Sequence, residues 1–137
     1  MSRGELPPLL AEVIAADAAL LDTFGITVVA ADEQRVVLEA IPPAALVNSL
    51  GVAHGALLFS VADTAAAYAL ASRGARGATI GSSMTYARPA KSGVPVVAAA
   101  RVVTQGRTLA TVRATITSEG KTVGHGMFQF MLLGEGT

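Results

Sequence analysis

Residues 55–74 read GALLFSVADTAAAYALASRG, and the fold is decided there. The stretch is apolar almost all the way round a helical wheel, so it predicts a helix buried on every side. Gly74 is a fitting stop for it. Its many alanines let other backbone come close. A helix of this kind needs a sheet to bury it, and the flanking sequence supplies one.

On the N-terminal side, ITVVAAD (26–32) and RVVLEAI (35–41) are two short β-branched runs joined at Asp32-Glu33-Gln34, which predicts a hairpin closed off by Pro42-Pro43. On the C-terminal side come ATIGSSMTYA (78–87), PVVAAARVVTQ (95–105), TLATVRATITS (108–118) and KTVGHGMFQFML (121–132). In the third of these, Ala110, Val112, Ala114 and Ile116 alternate with Thr111, Arg113, Thr115 and Thr117. That is the pattern of a half-buried antiparallel strand. Val96, Ala98, Ala100 and Val102 share a face in the run before it. Turns at 105–107 and 118–120 make the last three strands a meander. Before all of this, Pro7-Pro8 opens LLAEVIAADAALLDTF (9–24), which predicts one amphipathic helix closed at Gly25, with Glu12, Asp17 and Asp22 off its apolar stripe. The whole order is that of an α+β domain over 1–137: one antiparallel sheet wrapped around a long central helix, with residues 1–24 as an N-terminal helix preceding the core.

Composition narrows the function. The 137 residues contain no Cys, which excludes a disulfide framework, a thiolate zinc site and a Cys nucleophile. Only 4% are aromatic, so small and aliphatic side chains are expected to line any pocket. Net charge is zero, which suggests no nucleic-acid partner, but the charges are unevenly placed. Residues 40–118 hold seven bases and a single acid, Asp63. Such a segment can face an anionic small molecule. Positions 40–62 are uncharged but interrupted by prolines, Asn48 and His54, so a buried soluble segment is expected rather than a membrane span. MSRGELPPLLAEV is not a secretory leader, and the expectation is a cytoplasmic protein.

Asp63 is the most conspicuous residue. It lies about two turns into the apolar helix, too far in for an N-cap. Desolvation there would raise its pKa and make it a better base, unless a neighbour such as Ser60, Thr64, Tyr68 or an Arg simply satisfies it. His54-Gly55 stands at the helix start, where unpaired N–H groups and the positive end of the dipole can stabilise a carbonyl oxygen gaining charge. A capping His and a junction Gly explain the same pair. Asn48 can hold a water or a carbonyl, or only form the turn in NSLG. His125 lies between two glycines on the last strand, where a surface position is expected. The two His are not at metal-ligand spacing, and no P-loop, GxGxxG or GxSxG occurs.

Taken together, Asn48, Gly51, His54-Gly55, Asp63, Tyr86, Arg88-Pro89-Ala90 and Gly93 resemble the pattern of the hotdog-fold acyl-CoA thioesterases, in their PaaI-like branch. The likeness spans roughly residues 25–132. One departure is Ala56, where a second Gly is usual. The resemblance implies a dimer or dimer of dimers with the active site between subunits. Asp63 would come from one subunit, and Asn48, His54 and Gly55 from the other. It implies hydrolysis of an acyl-CoA, with Asp63 as general base or nucleophile and the Gly55 N–H on the carbonyl. A Ser or Thr on the strand after the helix would assist, with Thr79, Ser82 and Ser83 as candidates. Arg88, Lys91, Arg107 or Arg73 would meet the CoA phosphates. CoA enters as part of the substrate, and no metal or redox cofactor is implied. A hotdog dehydratase or hydratase is a competing reading, although the Gly-Asp-x-Asn-Pro pattern of hydratases is absent. A non-catalytic acyl-CoA-binding hotdog is another, and it would not need a carboxylate at position 63.

Overall fold

The computed structural model describes residues 5–134. Two short helices, α1 (Pro8–Ala16) and α2 (Ala18–Phe24), lead into the hairpin β1 (Ile26–Ala31) and β2 (Val36–Ala40). A 3-10 turn (Ala44–Leu46) precedes the central helix α3 (Gly55–Ala71). Four strands follow: β3 (Arg76–Tyr86), β4 (Val96–Gln105), β5 (Leu109–Ser118) and β6 (Lys121–Leu133). All pairings are antiparallel, in the order β1-β2-β4-β5-β6-β3. The expected hairpin and meander are both present, and α3 packs against β2, β3, β4, β5 and β6.

The sheet and helix fit because both are small where they meet. Ala62, Ala65, Ala66 and Ala69 of α3 are buried, and so are Ala98, Ala100, Ala110 and Ala114 of β4 and β5. Small residues on both sides bring the backbones together, and close packing then gathers many weak dispersion contacts. Phe128 and Phe130 of β6 fill the remaining space, both fully buried, with the Phe59 ring 5.6 Å from that of Phe128.

The single N-terminal helix expected over 9–24 is two helices. The chain breaks at Asp17, whose φ of −93° and ψ of 12° leave the helical region. The reason is tertiary. Asp17 does not sit on a solvent face; its Oδ2 accepts a 2.8 Å hydrogen bond from the Tyr68 hydroxyl of α3. Burial, and then the bond to Asp17 and its charge, push the Tyr68 hydroxyl pKa up, so that it stays a donor. Gly25 then closes α2 in the left-handed conformation (φ 68°). We expect Asp17→Ala to cost about 1–3 kcal/mol, because it strands a buried hydroxyl. Tyr68→Phe should cost less, since Asp17 can turn to water. Urea denaturation of the two variants checks the order.

Candidate active site

The loop before α3 is held from three directions. Asn48 N–H donates to Val52 O, Ala53 N–H to Ala90 O, and His54 N–H to Leu46 O, at 2.7–2.8 Å. Asn48 Oδ1 accepts from the N–H groups of Leu50 (2.9 Å) and Val52 (3.3 Å). Its carbonyl oxygen is therefore spent on shaping the turn, and its amide nitrogen is the group left to meet a ligand. His54 caps α3: its Nδ1 accepts from Ala56 N–H at 2.9 Å. That bond places the ring proton on Nε2 in the neutral form. Leu57 N–H returns to His54 O. Gly55 N–H is left with no partner among the described residues, at the positive end of the helix.

Asp63 lies eight residues further on, about 12 Å along the axis from Gly55. Its Oδ1 accepts a 2.7 Å hydrogen bond from Thr79 Oγ1 on β3. Burial pushes the Asp63 carboxyl up from its ordinary pKa, and the Thr79 bond opposes that rise only in part. Of the neighbours that could merely satisfy it, Ser60, Thr64, Tyr68 or an Arg, none bonds it, and Tyr68 is turned to Asp17 instead; the partner of Asp63 is one of the three candidate hydroxyls on the next strand. The three candidate hydroxyls are separated by a bulge at Ile80, between the pairs Thr79–Phe130 and Gly81–Gln129. Past the bulge, Ser82 pairs with buried Phe128 and faces inward, whereas Ser83 pairs with Met127 on the outer face. Thr79 alone touches Asp63.

One chain thus brings Asp63 together with Thr79 and holds Asn48, His54 and Gly55 on one loop at the start of α3, about 12 Å from the carboxylate. An open cavity of about 410 Å³ adjoins Gly55, with Val52, Leu58, Tyr86, Arg88 and Pro89 in its walls.

This arrangement has counterparts. The thioesterase superfamily model matches residues 50–125. That match takes in the end of the loop, the central helix, strands β3 to β5 and the start of β6. The chain belongs to the thioesterase superfamily. Human acyl-coenzyme A thioesterase 13 is 34% identical over 105 residues, which is 74% of this chain and 75% of that protein. The structure of the Escherichia coli PaaI protein from the phenylacetic acid degradation operon superposes with a TM-score of 0.83 at 28% identity, over 89% of this chain and 94% of that one. A hypothetical thioesterase from Streptococcus pneumoniae, solved with coenzyme A, gives 0.76 at 26% identity, over 80% and 89%. The sheet and its central helix are the hotdog fold of PaaI-like thioesterases, and the chain is an enzyme of that kind.

In this thioesterase the cationic candidates divide. Arg88 and Lys91 meet Lys121, which sequence reasoning passed over, around a cavity of about 590 Å³. Arg88 Nη1 donates to Thr122 O at 3.1 Å, and Lys91 lies 3.5 Å from Glu119. Arg107 and Arg73 are elsewhere. Thr108, next to Arg107, bonds Leu132 at the far end of β6, about 30 Å from the Val123 end where Arg88 sits. Arg73 donates to Gln105 at that same far end.

The expectation of a pocket without aromatics needs correcting at one residue. The Tyr86 ring lies over Gly55, 3.5 Å from where a Cβ would stand, and is 49% exposed. Its position in the motif was visible from sequence, but its side was not, because the bulge at Ile80 sets which face of β3 it takes. Among the described residues no helix is long and apolar enough to cross a membrane.

Proposed function

We propose that this thioesterase hydrolyses an acyl-CoA to the free acid and CoA, with Asp63 as general base or nucleophile. The observation that carries the reading is Asp63 itself, a carboxylate inside an apolar helix, pushed up by burial and aligned by Thr79. Thr79 occupies Oδ1 and leaves Oδ2 for an attacking water or for the carbonyl carbon. The unpartnered Gly55 N–H polarises the carbonyl, with the helix dipole behind it. The Asn48 amide and His54 Nε2–H are further donors on the loop that leads into the helix. The cavity at Gly55 shares Val52, Arg88 and Pro89 with the one rimmed by Lys91 and Lys121, a continuous path from the carbonyl site to cations that suit CoA phosphates. No resident metal or redox group takes part in this scheme. The coenzyme A in the Streptococcus pneumoniae relative supports the substrate class.

The 12 Å between Asp63 and Gly55 supports a site completed by a second copy, Asp63 facing the Gly55 of its partner. The edge strand β3 offers that contact with Ile80 56% exposed. A monomer by sedimentation that is fully active would refute this arrangement.

The test is thiol release from a panel of aryl and aliphatic acyl-CoAs. Release by the wild type supports the reading. Binding of acyl-CoA with no release from any ester would return the fold to a binding or dehydratase role. Arg88→Gln is expected to raise KM for CoA esters several-fold with kcat little changed, and Arg107→Gln to do so only if the two ends of the sheet meet in the oligomer. An unchanged KM removes each from phosphate contact. Thr79→Val takes away a bond that favours the charged carboxylate. The acidic limb of kcat/KM, already raised by the burial of Asp63, should move to higher pH still. A pH–rate profile that stays put would free Thr79 from that role.

A further inference from the structure

The outer face of the sheet, turned away from α3 and Asp63, carries a row of arginines. Arg101 and Arg113 are directly opposite each other on β4 and β5. Val36 pairs with Ala100, so Arg35, one residue earlier, extends the row across β2. Three guanidinium-bearing stems thus stand side by side, Arg35 at the entry to β2 and the other two on β4 and β5, about 5 Å apart. Like charges directly opposite one another oppose pairing. None of the three has an ion pair or side-chain hydrogen bond among the described residues, whereas Arg76 and Lys91 do. Asp32 in the β1–β2 turn is an acid within the field of Arg35 and Arg101. Its Oδ1 already accepts from Gln34 and Arg35 N–H.

The row borders a cavity of about 420 Å³, floored by Ala99 and opened beside Val103 where β4 bulges. Arg113 and Thr115 continue it into a second hollow of about 530 Å³, lined by Ser83, Thr85, Thr122 and His125. No carboxylate lines either part. One end of the groove is therefore cationic, and the other is rich in hydroxyls with one His.

We propose that this groove is a second binding site, for a pyrophosphate-bearing small molecule. Arg35, Arg101 and Arg113 clamp its phosphates, and the hydroxyl-lined end takes its polar remainder. Guanidinium forks match phosphate oxygens in pairs, and a ligand with two phosphates spans neighbouring members of the row. It also relieves the like-charge contact that the bare row maintains. The sheet separates the groove from Gly55 of the same chain, so its occupant is either the nucleotide end of a substrate whose thioester lies in another protomer or a separate phosphorylated effector. The first of these occupants rests on the hydrolysis proposed above; the pyrophosphate site itself does not, and direct binding tests it separately.

Calorimetric titration of the full chain with inorganic pyrophosphate tests it, at low and at raised salt. Wild type is expected to bind, and Arg101→Gln and Arg113→Gln each to weaken binding about tenfold. Arg76→Gln, of equal charge change but outside the groove, should leave binding as it was. Absent binding, equal binding by wild type and the groove variants, or equal weakening by Arg76→Gln overturns the proposal. So does a groove variant that changes its oligomeric state by sedimentation, which would assign the row to a contact between copies. The arginines are exposed, so their loss should not unfold the chain, and Arg101→Lys, which keeps the charge, should retain part of the binding. Kinetics separate the two sources. If the ligand is the substrate's nucleotide, Arg113→Gln raises KM for acyl-CoA but not for the same acyl group on N-acetylcysteamine. If it is a separate effector, neither KM moves while pyrophosphate binding is lost.

Discussion

Asp63→Asn is expected to lower turnover about 10²–10⁴-fold, the range that a positioned base contributes. Asn keeps the volume and can still accept from Thr79 Oγ1, so the helix and strand should stay in register. Stability should move the opposite way from activity. Burial raises the folded-state pKa of Asp63 above its unfolded value, so the folded protein holds that proton more tightly than the unfolded chain does. The resulting cost is absent below the unfolded pKa, grows as pH rises between the two values, and is fully present above the folded one. At neutral pH the neutral amide avoids it. Asp63→Asn should therefore melt no lower than the wild type at pH 7, and should lose any advantage in mild acid. A variant that is dead and also melts several degrees lower at pH 7 would mean that the carboxylate serves the fold rather than the reaction. Full activity in the variant would remove Asp63 from the chemistry altogether.

Gly126→Ala is expected to be the most damaging small change in the sheet. A Cβ at Gly126 would stand 2.7 Å from the Ser83 carbonyl oxygen and 2.9 Å from Met84 Sδ. The Met side chain can move, but the carbonyl belongs to the backbone of β3. Among the described residues strand β3 pairs only with β6, so relief within the chain pushes the edge strand outward. Overpacking of this kind costs about 1–3 kcal/mol. The displacement would also carry Thr79 away from Asp63 and Tyr86 away from Gly55. Lower stability should thus come with a lower kcat even where the protein is fully folded. Thermal melts and kinetics at a temperature well below the transition check both parts. An Ala variant with the wild-type Tm would show that β3 yields freely at this point. Gly124, where the nearest atom is the movable Met84 methyl at 3.0 Å, should tolerate Ala better.

Much of this was legible along the chain. An apolar run with helical length and a Gly stop gives a buried helix wherever it occurs, and strict alternation gives half-buried strands, because both signals rest on local geometry. Ala110, Val112, Ala114 and Ile116 are all buried, as their alternation required. A lone acid in such a helix is likewise conspicuous without any structure, since the desolvation penalty arises from the burial itself, before any partner offsets it.

The partners themselves were decided only by the tertiary fold. Strict alternation from Thr79 would put Ser83 on its face and Ser82 on the other. One bulged residue, Ile80, reverses that parity, so Ser82 turns inward with Thr79 and Ser83 faces out. A bulge leaves no dependable mark in sequence, yet it flips every side chain beyond it. Asp17 and Tyr68 meet across 51 residues, and that contact broke a helix which periodicity had drawn as continuous. The row Arg35, Arg101 and Arg113 exists only because three strands pair in one register. Sequence by itself determined which elements form and which residue is chemically out of place. Which side chains face one another was settled by strand register and packing, which act between residues far apart in the chain and leave no period within any one segment.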